Sequence, residues 1–243
     1  MRTRLLALAI GLALSSSGAA AQTYDCRRAE GKIRIDGRLD ETSWSKALPL
    51  GPLRDIRGED YPAPVKQTEV KLLWDEEYLY VGAFLWEDDI RAAQTEHDSV
   101  VWKDNDFEIF IDPDADGLNY YEFEINALGT VLDLIMDKGY SFGGSFYCHW
   151  DCPGLKTAVK VYGSLNKEGS PDRGWSCEWA IPRKALMRGF DEADKFPSWK
   201  MNFSRVEYLY GSDSPEENWV WAPTGVVDIH RPARWGTVNF KRP

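Results

Sequence analysis

Short runs in which apolar and polar residues alternate recur along most of this chain between turn signals, and long helical periodicity is nearly absent. Successive side chains of a strand point to opposite faces, so runs of this kind bury well only as sheets. The strands expected are Thr68 to Trp74, Tyr78 to Glu87, Asp106 to Asp112, Tyr120 to Asn126, Val131 to Met136, Ala158 to Gly163, Trp175 to Ile181, Lys200 to Tyr208, Trp219 to Ala222 and Gly236 to Phe240. They predict an all-β fold, an antiparallel two-sheet β-sandwich of jelly-roll type with one or two short helices. Within Tyr78 to Trp86 both faces are apolar, which marks a central strand. Asp40 can cap a short helix through Trp44 and Ala47, and Pro182 at a first helical position can start Arg183 to Met187. The turn-rich stretches Pro49 to Pro64, Gly139 to Pro153, Asn166 to Gly174 and Gly211 to Glu217 read as loops within one domain, where a sandwich places its binding groups.

Met1 to Ala21 reads as an export signal: Arg2 and Arg4, an apolar run from Leu5 to Leu14, then small residues before a cleavage site at Gln22. That run of about ten residues is far short of the roughly 20 that span a bilayer. The expectation is a domain from Gln22 to Pro243, periplasmic or secreted, monomeric and without a membrane span. The net charge of −10 becomes more negative once Arg2 and Arg4 leave, which disfavours nucleic acid and makes a neutral ligand or a cation easier to host. Eleven Trp, eleven Tyr and ten Phe exceed what a core of this size usually needs, so some rings are expected to face a ligand. In an oxidising compartment Cys26, Cys148, Cys152 and Cys177 favour disulfides over metal thiolates. A bridge within Cys148-His149-Trp150-Asp151-Cys152 is the stronger reading, and one from Cys177 to Cys26 is the other candidate.

Several constellations could carry chemistry. Asp106, Glu108 and Phe110 share one strand face, with Phe107, Ile109 and Ile111 opposite as core. A carboxylate row beside Trp102 can bond sugar hydroxyls while the indole stacks on a pyranose; a solvated polar face explains the same pattern. Glu122, Glu124 and Asn126 alternate on the next strand, and hairpin pairing would lay them beside Asp106 and Glu108. Paired carboxylates raise glycoside hydrolysis as the enzyme-class alternative. Asp112, Asp114 and Asp116 lie in a D-x-D-x-D-G run whose hard oxygen ligands suit Ca2+, although position twelve of a full calcium loop is Phe123 rather than Glu. His97, His149 and His230 form no zinc-binding spacing. His230 sits in an aromatic and polar tract with Trp221 that is suited to lining a site, while Trp219 and Trp235 read as packing. Met136, Met201 or His230 could ligate iron in a haem-binding electron-transfer domain, although no haem-attachment motif is present.

Taken in order, these motifs resemble family 9 carbohydrate-binding modules, especially free-standing, exported family-9-like proteins of polysaccharide-using bacteria. The resemblance runs through Ile35-Asp36-Gly37-Arg38-Leu39-Asp40-Glu41 with Trp44, Leu73 to Val81, Asn105 to Pro113, Tyr120 to Ala127, Gly174-Trp175 with Glu178 to Pro182, Asn202 to Val206, and Arg234-Trp235-Gly236. It implies a β-sandwich with structural calcium that binds glycan chains or chain ends of the xylan or cellulose type between two tryptophan rings, without catalysis. By position Trp102 looks like one stacking ring, Glu108 a hydroxyl partner and Asn126 another polar contact. The chain departs from the family at Glu124, where the module has Arg. The second stacking Trp falls near Ile229 and His230, with Trp221 a neighbouring substitute.

Overall fold

The computed structural model describes residues 21–186, 197–209 and 216–242. Among them are thirteen strands: β1 (Thr23–Arg28), β2 (Arg54–Asp55), β3 (Thr68–Trp74), β4 (Tyr78–Trp86), β5 (Asp106–Asp112), β6 (Tyr120–Asn126), β7 (Val131–Met136), β8 (Phe146–Tyr147), β9 (Lys156–Tyr162), β10 (Gly174–Pro182), β11 (Ser198–Glu207), β12 (Glu217–Val220) and β13 (Gly236–Phe240). The one α-helix among the described residues, α1 (Thr42–Lys46), follows Glu41 at its cap position, not Asp40, and no side chain caps it. The turn after Pro182 is a 3-10 helix, Arg183–Leu186, and Met187 lies outside the described residues, as do residues 1–20 of the expected leader.

The strand order is β8-β7-β6-β5-β11-β13-β1-β3-β4-β10-β9, with β12 and β2 continuing from the far half of β11. β1 joins the two sheets of the expected sandwich. Its Thr23 to Cys26 run parallel to Thr237 to Phe240, and its Arg27 and Arg28 pair with Leu73 and Trp74. The first sheet is therefore β8, β7, β6, β5, β11 and β13 with the first half of β1, extended by β12 and β2, and the second is the end of β1 with β3, β4, β10 and β9.

The core fills the space between them. Phe107, Ile109 and Ile111 of β5 and Phe123 and Ile125 of β6 point inward, against Leu79, Val81, Ala83 and Leu85 of β4 and Trp175 and Trp179 of β10. Phe123 meets Trp179 edge-on across the gap at 6.1 Å between ring centroids. β4 lies between β3 and β10 as a central strand, its inner face fully buried and its outer face covered at Tyr80 and Gly82 but open at Trp86. Trp219 is packed in this core, and Trp235 is buried in a smaller cluster with Phe110, Tyr120 and Met136.

All four cysteines are free, which corrects the expected disulfides. Cys26 on β1 and Cys177 on β10 have β3 and β4 between them in the sheet, whereas a bridge needs Cα atoms within about 7 Å. The Cys148 to Cys152 loop is held in another way. The Cys152 N–H donates to Asp133 Oδ2 at 2.5 Å, and Trp150 packs on Tyr121 and Phe123.

The outer face of the second sheet is covered by the segment that precedes β2. Trp44 of α1 buries fully against Leu73, Tyr80 and Ala180. The Glu178 carboxylate accepts from Trp44 Nε1 at 2.8 Å and from the Asp36 and Gly37 N–H groups at 2.9 and 2.8 Å. Gly37 has φ +80°, and a Cβ there would meet the Val159 carbonyl carbon at 2.6 Å. Gly37→Ala should therefore cost about 2–4 kcal/mol, strain and overlap together. Gly31→Ala, with φ +91° and open space, should cost about 1–2 kcal/mol. Urea unfolding of both variants checks this, and equal losses would contradict it.

Candidate functional site

The outer face of the first sheet carries no such cover. Alternation turns Asp106, Glu108 and Phe110 of β5 away from the core, and the register sets Asp106 opposite Asn126, Glu108 opposite Glu124 and Phe110 opposite Glu122. On the next strand Glu124 faces Leu132, and Glu122 faces Leu134. The expected polar row is thus assembled by the β5–β6 hairpin. It forms part of the floor of a groove of about 580 Å3 that includes Glu108, Glu122, Glu124, Leu132, Leu134 and Val206. That volume lies in the range of small-molecule sites.

The rims come from loops at the two ends of these strands. Trp102 lies in a 3-10 turn, Val101–Lys103, just before β5, and its side chain is 38% exposed against the groove. Tyr208 Oη fixes this turn, lying 3.0 Å from the Trp102 carbonyl oxygen and 2.9 Å from Glu216. Asp104 holds the turn from below, accepting from the Ala93 and Gln94 N–H groups and from Asn126 Nδ2 at 2.8–2.9 Å. The other end is closed by Tyr140 from the loop after β7, by Phe146 of β8 and by Val227 to His230. His230 Nδ1 lies 3.0 Å from Tyr120 Oη, and Tyr140 packs edge-on against the His230 ring.

Three of the five residues expected to bind sugar, Trp102, Glu108 and His230, therefore line one groove. The other two do not. Asn126 is fully buried, with Nδ2 given to Gln94 O and Asp104 and Oδ1 taken by the Leu128 and Thr130 N–H groups, so no polar atom is left for a ligand. Trp221 is a core residue packed on Phe203 and over Gly236, where a Cβ would lie 2.2 Å from the indole. The missed ring residues, Tyr140 and Phe146, come from Tyr140-Ser141-Phe142-Gly143-Gly144-Ser145-Phe146-Tyr147. The signal for them was four aromatics in a glycine-rich loop, each at least 48% exposed.

The electrostatics of the floor are unusual. Burial pushes Glu108 up to about 7, and burial with the charge of Glu108 takes Glu122 up to about 8. Asp106 and Glu124 are raised for the same two reasons. Glu124 Oε2 and Asp106 Oδ2 are buried without a hydrogen-bond partner. Burial lowers His230 to about 4, so its ring is neutral at pH 7. Ligand atoms of Asp106, Glu108 and Glu124 lie within 4.8 Å of one another, as do those of Asp112, Asp114 and Asp116 and those of His97, Asp98, Asp133 and Asp151.

Residues 35–133 match a family model described as carbohydrate family 9 binding domain-like. A family 9 carbohydrate-binding module from Caldicellulosiruptor kristjanssonii in complex with cellotriose superposes with a TM-score of 0.62 at 18% identity, over 91% of this chain and 95% of that one. The fold is that of a family 9 carbohydrate-binding module. The same organism's module in complex with glucose gives a TM-score of 0.60 at 16% identity, over 90% and 96% of the two chains. A Bacteroides uniformis protein proposed to bind carbohydrate gives 0.68 at 18%, over 91% and 100%. No curated protein matches the chain in sequence. The segment matching the family 9 model contains Trp102, Glu108 and Glu124, whereas His230 and Trp221 lie beyond it.

Carboxyl groups raised on folding bind more protons in the folded than in the unfolded chain. Their contribution to stability is full below the ordinary carboxyl range and is lost as pH rises through about 7–8. Glu108→Gln should therefore be more stable than wild type by about 1–3 kcal/mol at pH 8, with the gap closing by pH 5. Thermal melts across that range test it, and a gap that is flat or widens toward pH 5 would contradict it.

Proposed function

We propose that this is an exported, non-catalytic carbohydrate-binding protein that holds a β-glycan chain or chain end, of the type found in xylan and cellulose, along the groove. The observation that carries the reading is an exposed indole, Trp102, at the rim of a groove that joins apolar walls to a row of carboxylates. A sugar ring needs such a combination, an apolar platform for its axial hydrogens and hydroxyl partners beside it. The cellotriose and glucose complexes of the family 9 neighbours support a glycan ligand. Glycoside hydrolysis fits less well. A hydrolytic pair needs one carboxyl holding a proton and one ionised as base or nucleophile, whereas Glu108 and its cross-strand neighbour Glu124 are both raised by burial. In the haem reading Met201 is unusable, because it is buried between the sheets.

Calcium at Asp112, Asp114 and Asp116 belongs to the same proposal. The donor set is all carboxylate oxygen, and Asp112 is pushed up to about 7 by burial and by Asp114 and Asp116, a stress that a hard cation would relieve. Removing Ca2+ with a chelator should lower the melting temperature, and adding it back should restore the loss; no change in either direction would count against the ion.

Titration of soluble oligosaccharides, each with a free and a reduced end, against wild type and Trp102→Ala tests the groove. Loss of the ring should weaken binding by about 1–3 kcal/mol, ten- to a hundredfold. Equal binding to both proteins would move the site elsewhere, and sustained release of new reducing ends would replace binding by catalysis.

A further inference from the structure

We propose that the glycan held in this groove carries protonated amino groups, as in oligomers of glucosamine. The inference rests on the carbohydrate reading above and names the charge of its ligand. Six acidic residues line the groove: Asp98, Glu108, Glu122, Glu124, Glu216 and Asp228. Among the described residues the lining contains no Lys or Arg, Arg231 just outside it pairing with Asp228 alone at 3.4 Å, and the remaining titratable groups, His230, Tyr140 and Cys148, bring no positive charge at neutral pH.

Three other buried carboxylates away from the groove, Glu87, Glu178 and Asp104, are matched from within, whereas Asp133 leaves one oxygen unpartnered. Arg205 donates to Glu87 and Glu207 at 2.8 and 2.6 Å, with Lys66 beside both. Glu178 and Asp104 each collect three N–H donors. Glu124, only 2% exposed, lines the groove with Oε2 unpartnered, and Asp106 Oδ2 beside it is also unpartnered. A buried carboxylate without a partner is costly, and a bound ammonium supplies both the opposite charge and the N–H donors that are missing. The walls decide what carries that ammonium. Trp102, Leu132, Leu134 and Val206 present apolar surface over some 580 Å3, which a pyranose fills and a lone metal ion does not.

Calorimetric titration at pH 6 with glucosamine oligomers, their N-acetylated counterparts and neutral cello-oligosaccharides of equal length tests this. N-acetylation removes the charge and keeps the sugar. The free-amine oligomer should bind at least tenfold tighter than either neutral one, weaken with added salt, and release protons on binding. Glu124→Gln, or Glu122→Gln should that variant not fold, should erase most of the preference, whereas Trp102→Ala should weaken all the sugars together. Neutral sugars binding as tightly as the amine would overturn the proposal and leave the carbohydrate reading intact. No sugar binding at all would overturn both. Mn2+ or Ca2+ alone occupying Glu108 and Glu124 and excluding the amine would replace the amine by a metal.

A second cluster, which shares only Asp98 with the groove lining, carries a second inference: we infer that His97, Asp98, Asp133 and Asp151 bind Zn2+. They come from three segments, the loop before β5, strand β7 and the loop after β8, and each offers one ligand atom within 4.8 Å of the others. Asp151 and Asp133 oxygens lie 2.9 and 3.5 Å from His97 Nε2. Asp133, 1% exposed, has Oδ1 buried without a hydrogen-bond partner, and Asp98 Oδ1 is likewise unpartnered. One imidazole nitrogen with three carboxylate oxygens matches four-coordinate Zn2+ in count and donor type, whereas Ca2+ prefers an all-oxygen shell of six to eight. Metal-stripped protein dialysed against Zn2+ should retain one equivalent that excess Ca2+ does not displace. Asp133→Asn and the exposed-site variant Asp151→Asn should lose it, and Asp112→Asn should keep it. No retained zinc, or zinc kept by both Asp133→Asn and Asp151→Asn, would overturn the assignment.

Discussion

A strand cannot bury one face without committing the other, and β5 shows the consequence. Phe107, Ile109 and Ile111 are needed between the sheets, so Asp106, Glu108 and Phe110 must point outward, and the hairpin to β6 sets Asn126, Glu124 and Glu122 against them. β11 and β7 flank this pair, and loops rise on either end, so the outward residues end up shielded from water. The carboxylate floor is thus a direct product of how the core is packed.

The two outer faces of the sandwich treat a buried acid in opposite ways. On the second sheet, Glu178 is sealed under α1 with the Trp44 indole and two backbone N–H groups closing on it, and Gly37 makes the close approach possible. On the first sheet, Glu124 has the same depth but lacks a matching set of donors, and the space above it is open. The first arrangement locks the fold, and the second stores unfavourable charge where a ligand can relieve it.

Much of the fold was legible because alternation is a local signal. β3, β5, β6, β7 and β13 begin and end where the pattern places them. β1 was missed because its partners, Thr237 to Phe240 and Leu73 to Trp74, lie far along the chain, and β2 and β8 are too short to show a period. The site was legible by face but not by cover. Alternation put Asn126 on the correct side of β6, yet only the fold shows that Asp104 and Gln94 consume it. Trp221 read as a groove ring because it lies in an aromatic and polar tract near the expected second stacking position, whereas its indole packs inward over Gly236. Cysteine spacing carried no pairing information that survived the strand order.

The central claim is that the groove floor is a set of buried carboxyl groups whose charge no Lys or Arg among the described lining residues offsets, with Glu124 and Asp106 each leaving an oxygen unpartnered. Carbon-detected NMR of Asp and Glu side-chain carboxyls in the free protein, followed from pH 3 to 9, measures this directly. Glu108 should titrate near pH 7 and Glu122 near pH 8, with Glu124 well above the ordinary carboxyl range and all three sharing one another's transitions, while Asp25 and Asp55, held by neighbouring donors, should titrate below that range. Titration of the groove carboxyls between about pH 4 and 5, as in exposed acids, would contradict the account.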